Sequence, residues 1–265
     1  MVEPTAELFV DESIHERQGF IVSAYVAAEP GMSAYAEAIL VSLGFQPGRD
    51  EFKSGARMHG NPVLQELRDR FIRLAADGGR GVGLVVSSSS HRADLGYDVL
   101  WGLTQLVERG QLEPERLAAY FDEGIFRSRS AANETASHFP RLQECVLNFE
   151  QDSKLVAGLQ IADAVAGAAS QILLEHLTGR SRSVPLGEDE GYPEGTRSDL
   201  GWVLRMTLRY SLFKGPWGDL SRDDLDEAMT APLFGYGVFA TENLGPNVRE
   251  AVQRLFKSIW MGCIH

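Results

Sequence analysis

The order of apolar and polar positions divides the chain into alternating strands and helices. The segment Glu7–Val10 leads into Asp11, and Gln18–Ala28 (QGFIVSAYVAA) is a second β-rich run. The polar SIHERQG between them reads as a turn, which predicts a hairpin with Asp11 on its first strand. Pro30-Gly31 breaks the second strand. Met32–Leu43 then carries apolar residues at helical spacing and stops at Gly44, a residue suited to a helix C-terminal cap. Pro62 opens a helix through Ala76 whose apolar face is Leu64, Leu67, Phe71, Ile72 and Leu74; Asp77-Gly78-Gly79 stops it. Gly83–Ser87 reads as a buried strand and Asp94–Glu108 as an amphipathic helix. Glu115–Phe121 ends as a strand that carries Asp122 at its exit.

A helix over Ser130–Leu142, a short strand at Cys145–Phe149 and a helix over Val156–Leu177 complete this series. The alternation predicts an α/β fold, a mixed sheet with helices on its faces. Gly179–Arg197 (GRSRSVPLGEDEGYPEGTR) is polar and rich in Gly, Pro and Ser, as expected of a linker or long loop. The expected organisation is a domain over 1–178, a linker over 179–197 and a mostly helical region over 198–265 packing on the domain. Helices are expected there at Leu200–Phe213, Asp224–Met229 and Asn247–Trp260.

Composition narrows the class. Of the 265 residues, 44% are apolar and 23% charged, as in ordinary globular proteins. No apolar run has the length needed to cross a bilayer, so no membrane partner is expected. The start MVEPTAELFVDES lacks the basic n-region of a signal peptide, and Cys145 and Cys263 form no C-x-x-C pair; both features fit a reducing cytoplasm. The net charge of −12 excludes a strongly basic duplex binder and confines any polyanion contact to a local patch.

Several motifs carry no chemistry. Gly79-Arg80-Gly81-Val82-Gly83 leaves a helix and enters a strand, the reverse of a dinucleotide fingerprint. Ser87–Ser90 lack a G-x-S-x-G elbow and are expected to cap the helix at Asp94. The six histidines show no i, i+4 pair and no cysteine at zinc spacing.

Four acids stand apart. Phe9-Val10-Asp11-Glu12-Ser13 and Tyr120-Phe121-Asp122 each end an apolar strand in a carboxylate. Glu51-Phe52-Lys53-Ser54 sets an acid and a base two apart in a polar connection. Asp163, within Leu159-Gln160-Ile161-Ala162-Asp163-Ala164-Val165, is a poor helix former among apolar residues. An Asp so placed needs an ion pair, a hydrogen bond or a shared site. Ala162, Ala166, Gly167 and Ala169 let its helix approach the sheet closely enough to bring Asp163 over Asp11 and Asp122. Each like-charge pair then costs about 4 kcal/mol at about 4 Å and an effective dielectric of about 20. Protons or a divalent cation must offset that, and all-oxygen ligation favours Mg²⁺ or Mn²⁺ over zinc. A scaffold without catalysis is the alternative; a two-carboxylate glycosidase would need fewer acids.

The ordered set Phe9-Val10-Asp11-Glu12-Ser13, Glu51-Phe52-Lys53, Asp122 and Leu159-Gln160-Ile161-Ala162-Asp163 resembles the domain-of-unknown-function 3800 family over about Leu8 to Gln171. The resemblance implies a ribonuclease H-like fold and a metal-dependent nuclease of DNA or RNA. It implies that Asp11 bridges two Mg²⁺ or Mn²⁺ ions, that Glu51 and Asp122 complete their shells, and that Asp163 binds the second. Glu51 departs from the pattern in sitting in a polar connection rather than on a helix. Lys53 either touches a phosphate or forms a salt bridge, and Arg127 and Arg129 either contact the substrate backbone or lie in a solvated loop.

Overall fold

A computed structural model describes residues 4–186, 191–218 and 228–261. β1 (Ala6–His15) and β2 (Phe20–Ala28) form the expected hairpin, closed by a 3-10 turn at Glu16–Gln18, with Asp11 opposite Ala24. β3 (Gly79–Ser88) pairs antiparallel with β2. β4 (Leu117–Asp122) lies parallel to β1 on its other side, and β5 (Val146–Gln151) parallel to β4. β6 (Ser183–Pro185) and β7 (Arg197–Asp199) make a separate antiparallel ladder inside and just past the stretch expected to be a loop. β8 (Thr230–Pro232) precedes β9 (Val238–Ala240), which pairs parallel with β3, and β10 (Ser258–Trp260) pairs with β8. The main sheet therefore runs β5-β4-β1-β2-β3-β9.

Helices cover both faces. α1 (Met32–Ser42) and α2 (Pro62–Gly78) lie on the face that carries Phe9, Val22 and Val26. α3 (Leu95–Glu108) and α4 (Arg129–Ser137) lie on the face of Leu8, Val10 and Ile21. α5 (Gly158–Thr178), α6 (Leu200–Leu208) and α7 (Pro246–Leu255) join the first group. Because β2 is buried on both faces along its whole length, its sequence reads as a continuous apolar run rather than an alternation.

Four elements end or begin elsewhere than their sequence suggests. The helix expected over Ser130–Leu142 stops at Ser137, and a 3-10 turn takes Pro140–Leu142, because Pro140 has no N–H to continue the ladder. α6 ends at Leu208, after which Phe213 donates its N–H to Val82 and Val82 donates to Ser211. The helix expected to reach Trp260 stops at Leu255 and gives way to β10. Ser88 caps the 3-10 turn Ser89–Asp94, accepting from the Ser90 N–H, rather than α3. Residues 224–227 of the expected Asp224–Met229 helix, and the last four residues of the chain, lie outside the described residues.

Candidate active site

Strand alternation sends Asp11 to the same face as Phe9, and Asp122 to the same face as Tyr120, whose ring stacks on Phe9 at 5.5 Å. Asp122 ends β4, whereas Asp11, expected at a strand end, lies in the middle of β1, which runs on to His15. Asp11 follows the last β1–β4 pair, Val10 with Phe121, so the two acids are neighbours under α5. Asp163 comes from the second turn of α5. The three are only 5%, 5% and 6% exposed.

Two glycines let α5 lie this close. A Cβ on Gly158 would stand 2.4 Å from the Phe9 ring, and one on Gly167 would stand 2.5 Å from the Ser54 Cβ. The second contact seats the connection that holds Glu51. Phe52 is fully buried and donates its N–H to Gln160 Oε1 at 2.8 Å, while Gln160 Nε2 donates to the Ser153 carbonyl at 2.8 Å. Asp163 accepts the Ser54 N–H at 2.7 Å on one oxygen and the Ser54 hydroxyl on the other. Glu51 accepts from the Ser153 hydroxyl and pairs with Lys53 at 2.7 Å; Lys53 also reaches Asp122 at 3.8 Å.

The acids act on one another electrostatically. Burial raises the Asp11 carboxyl well above its usual range, and the charges of Asp163, Asp122 and Glu12 raise it further; the Glu12 N–H, donating at 2.6 Å, opposes them. Burial pushes Asp122 up to about 6, against the pull of Lys53, with Glu51 and Asp163 adding to the rise. Asp163 is also raised by burial, partly offset by its two Ser54 hydrogen bonds and by Lys53. For Lys53, burial works downward, yet Glu51, Asp122 and Asp11 together raise it and keep the ammonium charged.

The structure therefore brings Asp11, Glu51, Asp122, Asp163 and Lys53 into one neighbourhood. It places Arg129 against the Phe149 carbonyl at 3.4 Å and Arg127 in a separate cleft with Tyr97 and His138. Glu12 joins the acids without having been singled out. Burial pushes its carboxyl up to about 7, followed by repulsion from Asp122 and Asp163, and its Oε2 is shut from solvent with no hydrogen-bond partner. Its position beside Asp11, on the opposite strand face, hides it from a reading that follows one face. Ser54 and Gln160 stand inside the quoted motifs and Ser153 outside them, but none has a role legible in sequence, because the bonds that tie them to Asp163, Glu51 and Phe52 span over a hundred residues.

Among the described residues, no group of three or more His, Cys, Asp or Glu side chains is placed to hold a metal ion as it stands. Ser54 donates to both Asp163 oxygens, and Lys53 and Ser153 both meet Glu51 Oε1. Asp122 Oδ1 and Glu12 Oε2, by contrast, are buried oxygens without partners.

The sheet is thus a three-stranded antiparallel meander continued on one side by two parallel strands, with helices on both faces. No family model matches the chain, and no curated protein matches it. Among solved structures, a mutant protein of Bst-RNase HIII matches at a TM-score of 0.42 and 17% identity, over 67% of this chain and 55% of that chain. The matched part is thus about half of that protein's length. No helix among the described residues is long and apolar enough to cross a membrane.

Proposed function

We propose that the chain is a metal-dependent nuclease that hydrolyses phosphodiester bonds of DNA or RNA, working from Asp11, Glu51, Asp122 and Asp163. The observation that carries this reading is the buried Asp122 oxygen left without a partner among mutually repelling carboxylates. Crowded carboxylates with an orphaned oxygen form a hard, all-oxygen donor set, which fits Mg²⁺ or Mn²⁺. Asp11, Asp122 and Asp163 would hold the ions, with Glu51 joining once Lys53 swings away. A bound pair of such ions supplies a water of lowered pKa and charge stabilisation at the leaving oxygen.

The protein's own groups do the rest. Ser54 fixes the Asp163 carboxylate through two hydrogen bonds, so its orientation is set before any substrate arrives. Lys53, half exposed and charged, is placed to meet a phosphate or to orient Glu51. The likeness of the acid motifs to the domain-of-unknown-function 3800 family supports the same class. We also assign the catalytic unit to residues 1–178, which hold every site residue, with 198–265 packing on it.

The test is cleavage of single- and double-stranded DNA and RNA with Mg²⁺ or Mn²⁺, with and without EDTA. Asp11→Asn and Asp163→Asn should each lower the rate on the order of a thousandfold, the loss of several kcal/mol of charge stabilisation. Unchanged cutting in both variants would sink the proposal.

One observation favours a second reading, a binding module without catalysis: Lys53, Ser54 and Ser153 already satisfy two of the acids. Calorimetric titration separates the two. The nuclease takes up Mg²⁺ in a way that Asp163→Asn abolishes, whereas the module shows no such heat.

A further inference from the structure

Glu51 belongs to two neighbourhoods. Its carboxylate lies in the acidic centre with Lys53, and the same residue lines an open cleft of about 540 Å³ with Phe45, Arg49, Val63 and Lys154. Phe45 and Leu43 are partly buried against the core and form an apolar floor; Val63, on the rim, is 41% exposed. The rim also carries two cations. Arg49 donates to Gln46 Oε1 at 3.2 Å, and neither Arg49 nor Lys154 makes an ion pair among the described residues. Two acids line the cleft as well, Glu51, which pairs with Lys53, and Asp50, which accepts the Gln46 N–H at 2.7 Å.

In a chain of net charge −12, two cations without acid partners beside an apolar floor, opening onto a carboxylate centre, have the complement of a phosphate with a base attached. Resting on the nuclease reading above, we propose that this cleft holds one nucleotide of an unpaired strand next to the scissile phosphate. Arg49 and Lys154 take its phosphate, and Phe45 with Val63 takes the face of its base. The strand must be unpaired because an apolar floor can meet a base face only when that base has left its stack. The volume agrees, since clefts of about 300–1,000 Å³ enclose single small ligands rather than two paired strands. The cleft thus assigns the substrate class: single-stranded nucleic acid, or a duplex with a frayed or unpaired end.

Binding of fluorescent single-stranded and duplex oligonucleotides, read by anisotropy in EDTA so that nothing is cut, tests this. Arg49→Ala/Lys154→Ala should weaken single-strand binding about tenfold and flatten the slope of log K against log salt by about 0.7, the share of the one phosphate they hold. Val63→Glu, a surface change that puts a negative charge on the rim, should lower single-strand affinity as well. Affinity for a fully paired, GC-closed duplex should stay as it was in both. An equal loss on duplex, or no loss on single strand, overturns the assignment. Hydrolysis of bis(p-nitrophenyl) phosphate by the unaltered protein with Mn²⁺ keeps the two readings apart. Hydrolysis without the binding difference removes the cleft and keeps the nuclease; the binding difference without hydrolysis removes the nuclease and keeps a strand-binding cleft.

Discussion

Asp122 closes β4 with one oxygen sealed from solvent and unpartnered, and with a carboxyl pushed up to about 6 from an ordinary value of 3.8. A carboxyl that holds its proton more tightly when folded than when unfolded makes the folded state lose stability as pH rises from about 4 to about 6, and the full loss persists above that. Two pKa units at 1.36 kcal/mol each amount to about 3 kcal/mol at neutral pH. Asp122→Asn should therefore raise Tm in EDTA at pH 7.5 by roughly 6–12 °C and leave it unchanged near pH 4. Thermal melts across that range decide the matter, and a variant that melts lower at pH 7.5 contradicts it. Glu12, pushed up to about 7, extends the same decline to neutrality. Legibility at this scale followed chemistry out of place. Asp163 announced itself as an Asp among Ile, Ala and Val, and Asp11 and Asp122 as charges closing apolar runs, although β1 continues past Asp11 to His15. Ser54, Ser153 and Gln160 gave no such signal, because an unremarkable polar residue becomes part of a site only through a long-range contact that one sequence does not encode locally.

The helix that carries Asp163 is positioned by what it lacks. Gly167 faces Ser54 with no room for a Cβ, so the two Ser54 hydrogen bonds and the seating of Glu51 depend on that glycine. Gly167→Ala should cost about 1–3 kcal/mol in stability, the usual range for overpacking. Its cost in activity should be larger, on the order of a hundredfold, since misplacing a reacting group by about 1 Å has that effect. Ser54→Gly added to Gly167→Ala removes the obstructing Cβ while keeping the backbone N–H to Asp163. The double variant should recover part of kcat/KM, whereas a merely structural glycine would recover Tm alone. The small-residue stripe in α5 did signal close approach, though toward the sheet only. Gly167 of that stripe meets the Ser54 connection instead, while the approach to the sheet, at Phe9 of β1, is made by Gly158 outside it. Periodicity located the long elements and misjudged their ends, as with the helix broken before Pro140 and the segment after Leu208 that leaves its helix to pair with Val82. In the latter case, backbone pairing at the sheet margin overrode a locally helical pattern.

At the scale of the whole molecule, the hairpin of β1 and β2 was legible because it is local, and the order of the remaining strands was not. β4 joins β1 from about a hundred residues away, and β9 reaches the far edge from the C-terminal region, so nothing in the spacing of either segment states its neighbour. The charge balance was legible and has a consequence that binding can measure. A chain of net charge −12 repels a polyanion over most of its surface, so counterions are released only where cations meet phosphates directly. Lys53, Arg49 and Lys154 are the cations at the centre and its cleft. Two phosphates, one under Lys53 and one held by Arg49 and Lys154, at about 0.7 each give a slope of log K against log salt near about −1.4, and additional contacts would steepen it to no more than about −4. A titration between roughly 50 and 200 mM salt with an uncut oligonucleotide in EDTA reads this directly. A slope approaching −10, that of a strongly basic duplex binder, would mean that phosphates are gripped across an extended surface, and both the local contact and the single-nucleotide cleft would fail together.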